Sequence, residues 1–126
     1  CLLLSCWLST NGDMNLTNFA LMMGEVGLRR LLPAYDLVCT KLVIPDDTLA
    51  MPIGGRKSKL RRDRWLNFAD YCGIPQRAAE RLIAQQIEAL EPALELVSAS
   101  HLPTEMKNEY AGFITDNTNV LRETSQ

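Results

Sequence analysis

Asn11-Gly12-Asp13-Met14-Asn15-Leu16-Thr17-Asn18-Phe19 is a polar loop set between two apolar stretches. Before it, residues 1 to about 10 are apolar throughout, the pattern of a helix taken from the middle of a core rather than from a half-wetted surface. Asn-Gly is among the strongest turn signals, so the helix stops there and a loop begins. After it, Phe19 to Met23 and Leu28 to Leu32 are short apolar runs around Gly24, Glu25, Val26 and Gly27, which predicts a small β-hairpin closed by Pro33.

Farther along, residues 37 to 44 (LVCTKLVI) are rich in β-branched types and predict another extended piece, followed by a turn at Pro45-Asp46-Asp47. Gly54 and Gly55 mark a further turn, and the chain up to about Leu60 reads as irregular or as a hairpin. From Arg62 the apolar period changes from two to about 3.6. Trp65, Leu66, Phe68, Ala69 and Cys72 make one face, Gly73 stops it, and Pro75 begins a helix over 75–98 through Ala79, Leu82, Ile83, Ile87 and Leu90. Pro92 is expected to kink or divide that helix. A last helix, about 103 to 123, starts at Pro103 and runs through Met106, Tyr110 and Phe113. The expected architecture is mainly α with a small β-hairpin region, without internal repeat or low-complexity linker.

A chain of 126 residues has room for one domain with one hydrophobic core. Apolar residues at 47% and charged residues at 22% place it with folded globular chains and away from disorder. A formal charge of -2 gives no electrostatic reason for an obligatory nucleic-acid or acidic-membrane partner. Cys1, Cys6, Cys39 and Cys72 form no C-x-x-C pair and lie far from His101, the one histidine, which argues against a zinc site. Reduced, buried thiols are expected, and with them a cytoplasmic setting. The chain begins at Cys1 rather than Met, so a processed product or a fragment is expected. Its opening LLLSC lacks a basic leader, and the run through Leu8 is too short to span a bilayer.

The loop carries the chemistry. Kinases place an aspartate at the attacking hydroxyl, a carboxamide five residues later on magnesium, and a second aspartate beyond a short hairpin on the metal that bridges the phosphates. Asp13 and Asn18 have that spacing, and Asp36, in Pro33-Ala34-Tyr35-Asp36-Leu37, follows the hairpin. The transferred group is highly anionic, so catalysis consists mainly of positioning cations and the nucleophile around it. Magnesium is a hard ion that prefers oxygen ligands, which suits Asn18 and Asp36 and leaves Asp13 as general base or orienter. By itself D-x-x-x-x-N recurs in many proteins, and Asn11, Gly12, Asp13, Asn15 and Asn18 would equally serve as turn residues satisfying local backbone groups.

NGDMNLTNFAL resembles the N-G-D-M-H-L-K-N-F signature of HipA-family serine/threonine kinases, and PAYDLVCTKLV resembles that family's metal-binding segment. The similarity continues through LAMPIGGRKSKLRRDRWLNFA and covers roughly residues 5 to 122. The resemblance implies a kinase-like C-terminal lobe over residues 1–126, with Asp13 as catalytic base, Asn15 and Asn18 in the nucleotide site, and Asn18 and Asp36 as magnesium ligands. It implies ATP as phosphate donor, a protein Ser/Thr as acceptor (an aminoacyl-tRNA synthetase among the family's targets), and a HipB-like antitoxin as partner in a toxin-antitoxin pair. Two departures stand out. Asn15 and Thr17 replace the usual histidine and lysine, which removes positive charge from the phosphate contacts. Neither G-x-x-x-x-G-K-[ST] nor G-x-G-x-x-G occurs in the sequence, so the ATP-clamping N-lobe is expected to be missing from this piece. A non-catalytic remnant, or a split subunit that binds an antitoxin or a separately encoded N-lobe, is the alternative.

Other clusters have plainer readings. Arg56, Lys57, Lys59, Arg61, Arg62 and Arg64 put six positive charges within nine residues. They leave open nucleic-acid phosphates, a solvated loop balanced by the acidic helices that follow, or a docking surface for a partner protein. Trp7, Trp65 and Phe68 are expected in the core, and His101 in a loop. Ser5, Ser9 and Ser58 lack the surroundings of an activated nucleophile. Glu80, Glu88, Glu91 and Glu95 read as a solvated helix face.

Overall fold

The computed structural model describes residues 2–24 and 27–123. Cys1 and the hairpin-turn residues Glu25 and Val26, on which part of the sequence reading rests, lie outside the described residues. The elements are α1 (Leu2–Leu8), β1 (Leu21–Met23), β2 (Arg29–Leu31), α2 (Arg62–Tyr71), α3 (Gln76–Glu88), α4 (Leu90–Ala99) and α5 (Thr104–Arg122), with single 3-10 turns at Leu16–Asn18 and Thr40–Leu42. Among the described residues no helix is long and apolar enough to cross a membrane.

The element that organises the rest is α5. Pro103, extended at φ -56° and ψ 148°, starts it, and Glu105 and Arg122 sit at the ends where their charges complement the helix dipole. α5 touches each of the other four helices and the Thr40–Leu42 turn. The main core gathers Leu4, Trp7 and Leu8 of α1, Leu49, Ile53 and Leu60 of the connecting segment, Trp65 of α2, Ile83 of α3 and Leu121 of α5. Trp7 and Trp65 meet with ring centroids 5.6 Å apart at 53°, a favourable tilted aromatic contact. A second cluster, Leu90 and Val97 with Ile114, zips α4 to α5.

Local chemistry fixes the helix boundaries. Pro92 lacks an N–H and its ring would crowd the carbonyl of Glu88, so α3 ends at Glu88 and Pro92 falls in the first turn of α4, where a missing donor costs nothing. At the end of α2, Gly73 adopts φ +71° and a Schellman pair closes the helix, with Ile74 N donating to Ala69 O at 2.9 Å and Gly73 N to Asp70 O at 2.9 Å. Cys72 occupies the cap and is exposed, so it does not join the Trp65 and Ala69 face as the sequence period predicts; half-buried Ile74 turns back toward that face instead. The expectation of buried thiols holds for Cys6, whose burial pushes its pKa up, and fails for exposed Cys72 and half-buried Cys39.

β1 and β2 pair antiparallel in the register Leu21↔Leu31, Met22↔Arg30 and Met23↔Arg29. The hairpin forms where the sequence puts it, with shorter strands. All six strand residues are exposed, and an isolated two-stranded ribbon has little stability of its own. The extended piece expected over 37–44 does not form: the chain is irregular up to Cys39 and then makes the Thr40–Leu42 turn. β-branched composition needs a strand edge to pair with, and among the described residues β1 pairs only with β2. Thr40 is drawn into side-chain bonds described below.

Leu121 is fully buried (0% exposed) where α5 closes over the main core. Leu121→Ala is expected to cost about 2–5 kcal/mol of unfolding free energy in urea titration. A loss below about 1 kcal/mol would show that the end of α5 is not structural.

Candidate functional site

The loop after α1 is built from its own amides. Asn117 of α5 donates from Nδ2 to the Trp7 and Leu8 carbonyls at 3.0 and 3.4 Å, satisfying the open end of α1. Thr10 then takes φ +52°, unusual for a β-branched residue, and turns the chain. Asn11 is 1% exposed. Its Oδ1 accepts from Asp13 N at 3.1 Å and its Nδ2 donates to Asp36 O at 3.4 Å. Met14, 2% exposed, is buried at the loop centre. Asn15 Oδ1 accepts from Thr17 N at 2.9 Å and from the Thr17 hydroxyl, an Asx turn that opens the Leu16–Asn18 turn. Asn18 Nδ2 reaches back to Asp13 O at 2.8 Å.

Both backbone groups of Asp13 are therefore held, while its carboxylate is exposed and has no hydrogen-bond partner among the described residues. A group placed this way accepts a proton without first breaking a bond.

The segment after the hairpin is tied to this loop. Tyr35 donates its hydroxyl to Thr17 O at 3.2 Å, and Asp36 adopts φ +56°, a left-handed conformation that Asp tolerates better than most residues. Gly12 N donates to Thr40 Oγ1 at 2.7 Å. The single proton of the Thr40 hydroxyl goes to the Asp47 carboxylate, its closest and only charged acceptor, with Thr10 O more distant at 3.2 Å. Thr10 Oγ1 and Cys39 Sγ lie 3.0 Å apart. The Asp47 carboxylate rests so close to Gly12 that a Cβ there would collide with it. A side chain at residue 12 would therefore have to displace the Asp47 carboxylate.

The structure brings Asp13 and Asn18 into direct contact and joins Asp36 to them through Asn11. The Asn15 side-chain oxygen is engaged by the backbone and hydroxyl of Thr17. Thr40 and Asp47, which hold the two segments together, were missed by sequence reasoning. A Thr beside Lys41 and an Asp in a turn carry no local signal of a partner 28 residues away. Asn11 was read only as a turn former, whereas its amide is the buried link.

For a magnesium ion the donor chemistry fits. Asn18 commits its N–H to Asp13 O, which orients Oδ1 away from that bond, and Asp36 supplies an exposed carboxylate. Among the described residues no three His, Cys, Asp or Glu side chains converge as a metal cage. Two oxygen ligands completed by water and phosphate are the usual magnesium arrangement, so a cage is not required.

A mainly helical lobe with a small hairpin between the 11–19 loop and the Asp36 segment is the architecture of a kinase-like C-terminal lobe. The family model of the HipA-like C-terminal domain matches residues 2–94, and the chain belongs to that family. The chain is also similar to a solved complex of Shewanella oneidensis MR-1 HipA, HipB and operator DNA, with a TM-score of 0.74 and 17% identity. That match covers 98% of this chain and 33% of the other, so the chain spans about a third of the solved chain's length. No curated protein sequence matches it.

Gly12→Ala is expected to destabilise the protein by about 1–3 kcal/mol in thermal unfolding. In an Asp47→Ala background the penalty should shrink, because the colliding carboxylate is gone. Equal penalties in the two backgrounds would rule out the contact as its cause.

Proposed function

We propose that this chain is the catalytic-loop lobe of a HipA-type serine/threonine protein kinase, one module over residues 1–126 that works with a phosphate-covering lobe from outside these residues. Asp13 orients the acceptor hydroxyl and takes its proton, with its exposed carboxylate held in place from both backbone sides. Asn18 Oδ1 and the Asp36 carboxylate hold magnesium, and Asn15 lies toward the nucleotide. The metal, when bound, neutralises charge on the ATP phosphates. The reading is supported above all by the buried Asn11 amide, which accepts from Asp13 N with one end and donates to Asp36 O with the other and so ties the backbones of the two aspartate segments together. The partner proposed is a HipB-like antitoxin, because the solved structure similar to this chain is a HipA–HipB–DNA complex. The acceptor is a hydroxyl of a protein.

Asp36→Asn is an informative variant, because Asn tolerates left-handed backbone as Asp does and only the charge is removed. Asp13→Asn likewise leaves both backbone bonds of residue 13 in place. With the full-length protein, labelled phosphate from Mg-ATP should enter a protein Ser or Thr. Each variant should reduce this at least about 100-fold while unfolding as the parent does. Full activity in both variants would overturn the assignment.

A further inference from the structure

We propose that the polar pocket beside the Asp13 loop docks an acidic side chain of the protein substrate, an inference that rests on the kinase reading and names its substrate class. The pocket, about 140 Å³, opens against Thr10, Asn11 and Gly12, directly before Asp13, and Lys41, Lys57 and Lys59 reach it from two other segments. Leu49 N donates to Lys57 O at 3.3 Å, which fixes the basic strip beside the loop. Lys41 Nζ lies 4.7 Å from the Phe113 ring centroid, a contact that holds the ammonium without neutralising it. Among the described residues none of these lysines has a carboxylate within 4.0 Å; the ion pair found is Arg61 with Glu123 at 3.6 Å.

Asp47, the one acid lining the pocket, is engaged by the Thr40 hydroxyl and by Thr48 N at 3.0 Å. Three lysines thus line the pocket beside one carboxylate that is already satisfied, a balance of charge that favours an incoming anion.

The fold divides the basic cluster and so decides between its possible partners. Arg61 pairs with Glu123, Arg62 Nη1 donates to Leu121 O at 3.0 Å at the end of α5, and Arg64 lines a separate pocket with Tyr71. These three arginines are thus drawn to separate contacts, which favours a local anion site at the lysines over a stripe that follows a nucleic-acid backbone. The pocket is smaller than the usual 300–1,000 Å³ of drug-sized ligand sites, and it fits one anionic side-chain head rather than a nucleotide. The position next to Gly12 puts that head one residue from the proposed base, within reach of a peptide whose hydroxyl lies at Asp13.

The test measures peptide binding and peptide phosphorylation separately, with the full-length protein. Fluorescent Ser peptides flanked by Glu, by Gln or by phosphoserine are titrated against the parent, the K57Q/K59Q pair and the charge-keeping K57R/K59R pair. The Glu peptide should bind at least about fivefold more weakly to K57Q/K59Q, nearly normally to K57R/K59R, and more weakly as salt rises. The phosphoserine arm decides whether a phosphate competes for the same lysines; tighter lysine-dependent binding of that peptide than of the Glu peptide overturns the carboxylate assignment. Equal binding of Glu and Gln peptides, or no effect of K57Q/K59Q, overturns the docking site even if both peptides are phosphorylated. Lysine-dependent Glu-peptide binding without phosphate transfer upholds the surface and removes the kinase reading. Lysine-dependent capture of a single-stranded oligonucleotide with the peptides ignored would replace the peptide by a nucleic acid and overturn the inference.

Discussion

A buried side-chain amide holds the site together. Asn11 is almost wholly shielded, and both ends of its carboxamide are used, one on the loop and one on the segment that follows the hairpin. A buried polar group is tolerated only when it is bonded, and leaving one unmade costs about 1–3 kcal/mol. If the Asp36 segment drifted away, Asn11 would lose its acceptor inside the protein, so the same desolvation that makes Asn11 costly keeps the two segments in register. Thr40 adds a second clasp, with Gly12 on one side of its hydroxyl and Asp47 on the other.

These clasps matter because the surrounding chain has little else to hold it. The described residues between 19 and 44 are largely exposed, both hairpin strands show solvent on every residue, and large apolar side chains such as Met23 and Val43 are uncovered. Burial stabilises the helical part, where α5 meets every other helix and Leu121 closes the core. The exposed Asp13 and Asp36 and the half-buried Asn18 therefore ride on directional polar contacts fastened to a helical base. Asn117 is the fastening point: it belongs to α5 and caps α1 immediately before the loop begins. Order passes from the packed layer to the loop through one amide, and through the Thr40–Leu42 turn, which also contacts α5.

The helices were legible because they are written in period and punctuation. Gly73, Pro75, Pro92 and Pro103 each act on their own neighbours within one turn, and the boundaries fall where those residues put them. The contact between Asp13 and Asn18 is local in the same way, since five residues of loop suffice to bring the Asn18 amide to Asp13 O. What failed, or was missed, depends on distant partners. LVCTKLVI has strand composition without a strand beside it, and Thr40, within that run, is committed to Gly12. Cys72 obeys the helical period but sits at the cap, where the chain has already left the helix axis. The six cations of 56–64 look like one patch in sequence; in space five of them serve a helix end, an ion pair and two different pockets.

Asn15 and Thr17 give the loop its particular character. The Asn15 oxygen accepts from both the backbone and the hydroxyl of Thr17, so the middle of the loop is stiffened by neutral hydrogen bonds where charged side chains would instead extend toward solvent. That turn sets the direction of Asn18, and Asn18 in turn holds Asp13 O. The loop consequently carries no cation of its own between Asn11 and Asn18. Positive charge at this end of the fold comes instead from Lys41, Lys57 and Lys59, which reach the loop from elsewhere in the chain. Geometry is thus supplied locally, by carboxamides, and electrostatics remotely, by lysines on segments joined to the loop through Thr40 and Asp47. The two contributions can change independently in sequence, because no single side chain is responsible for both.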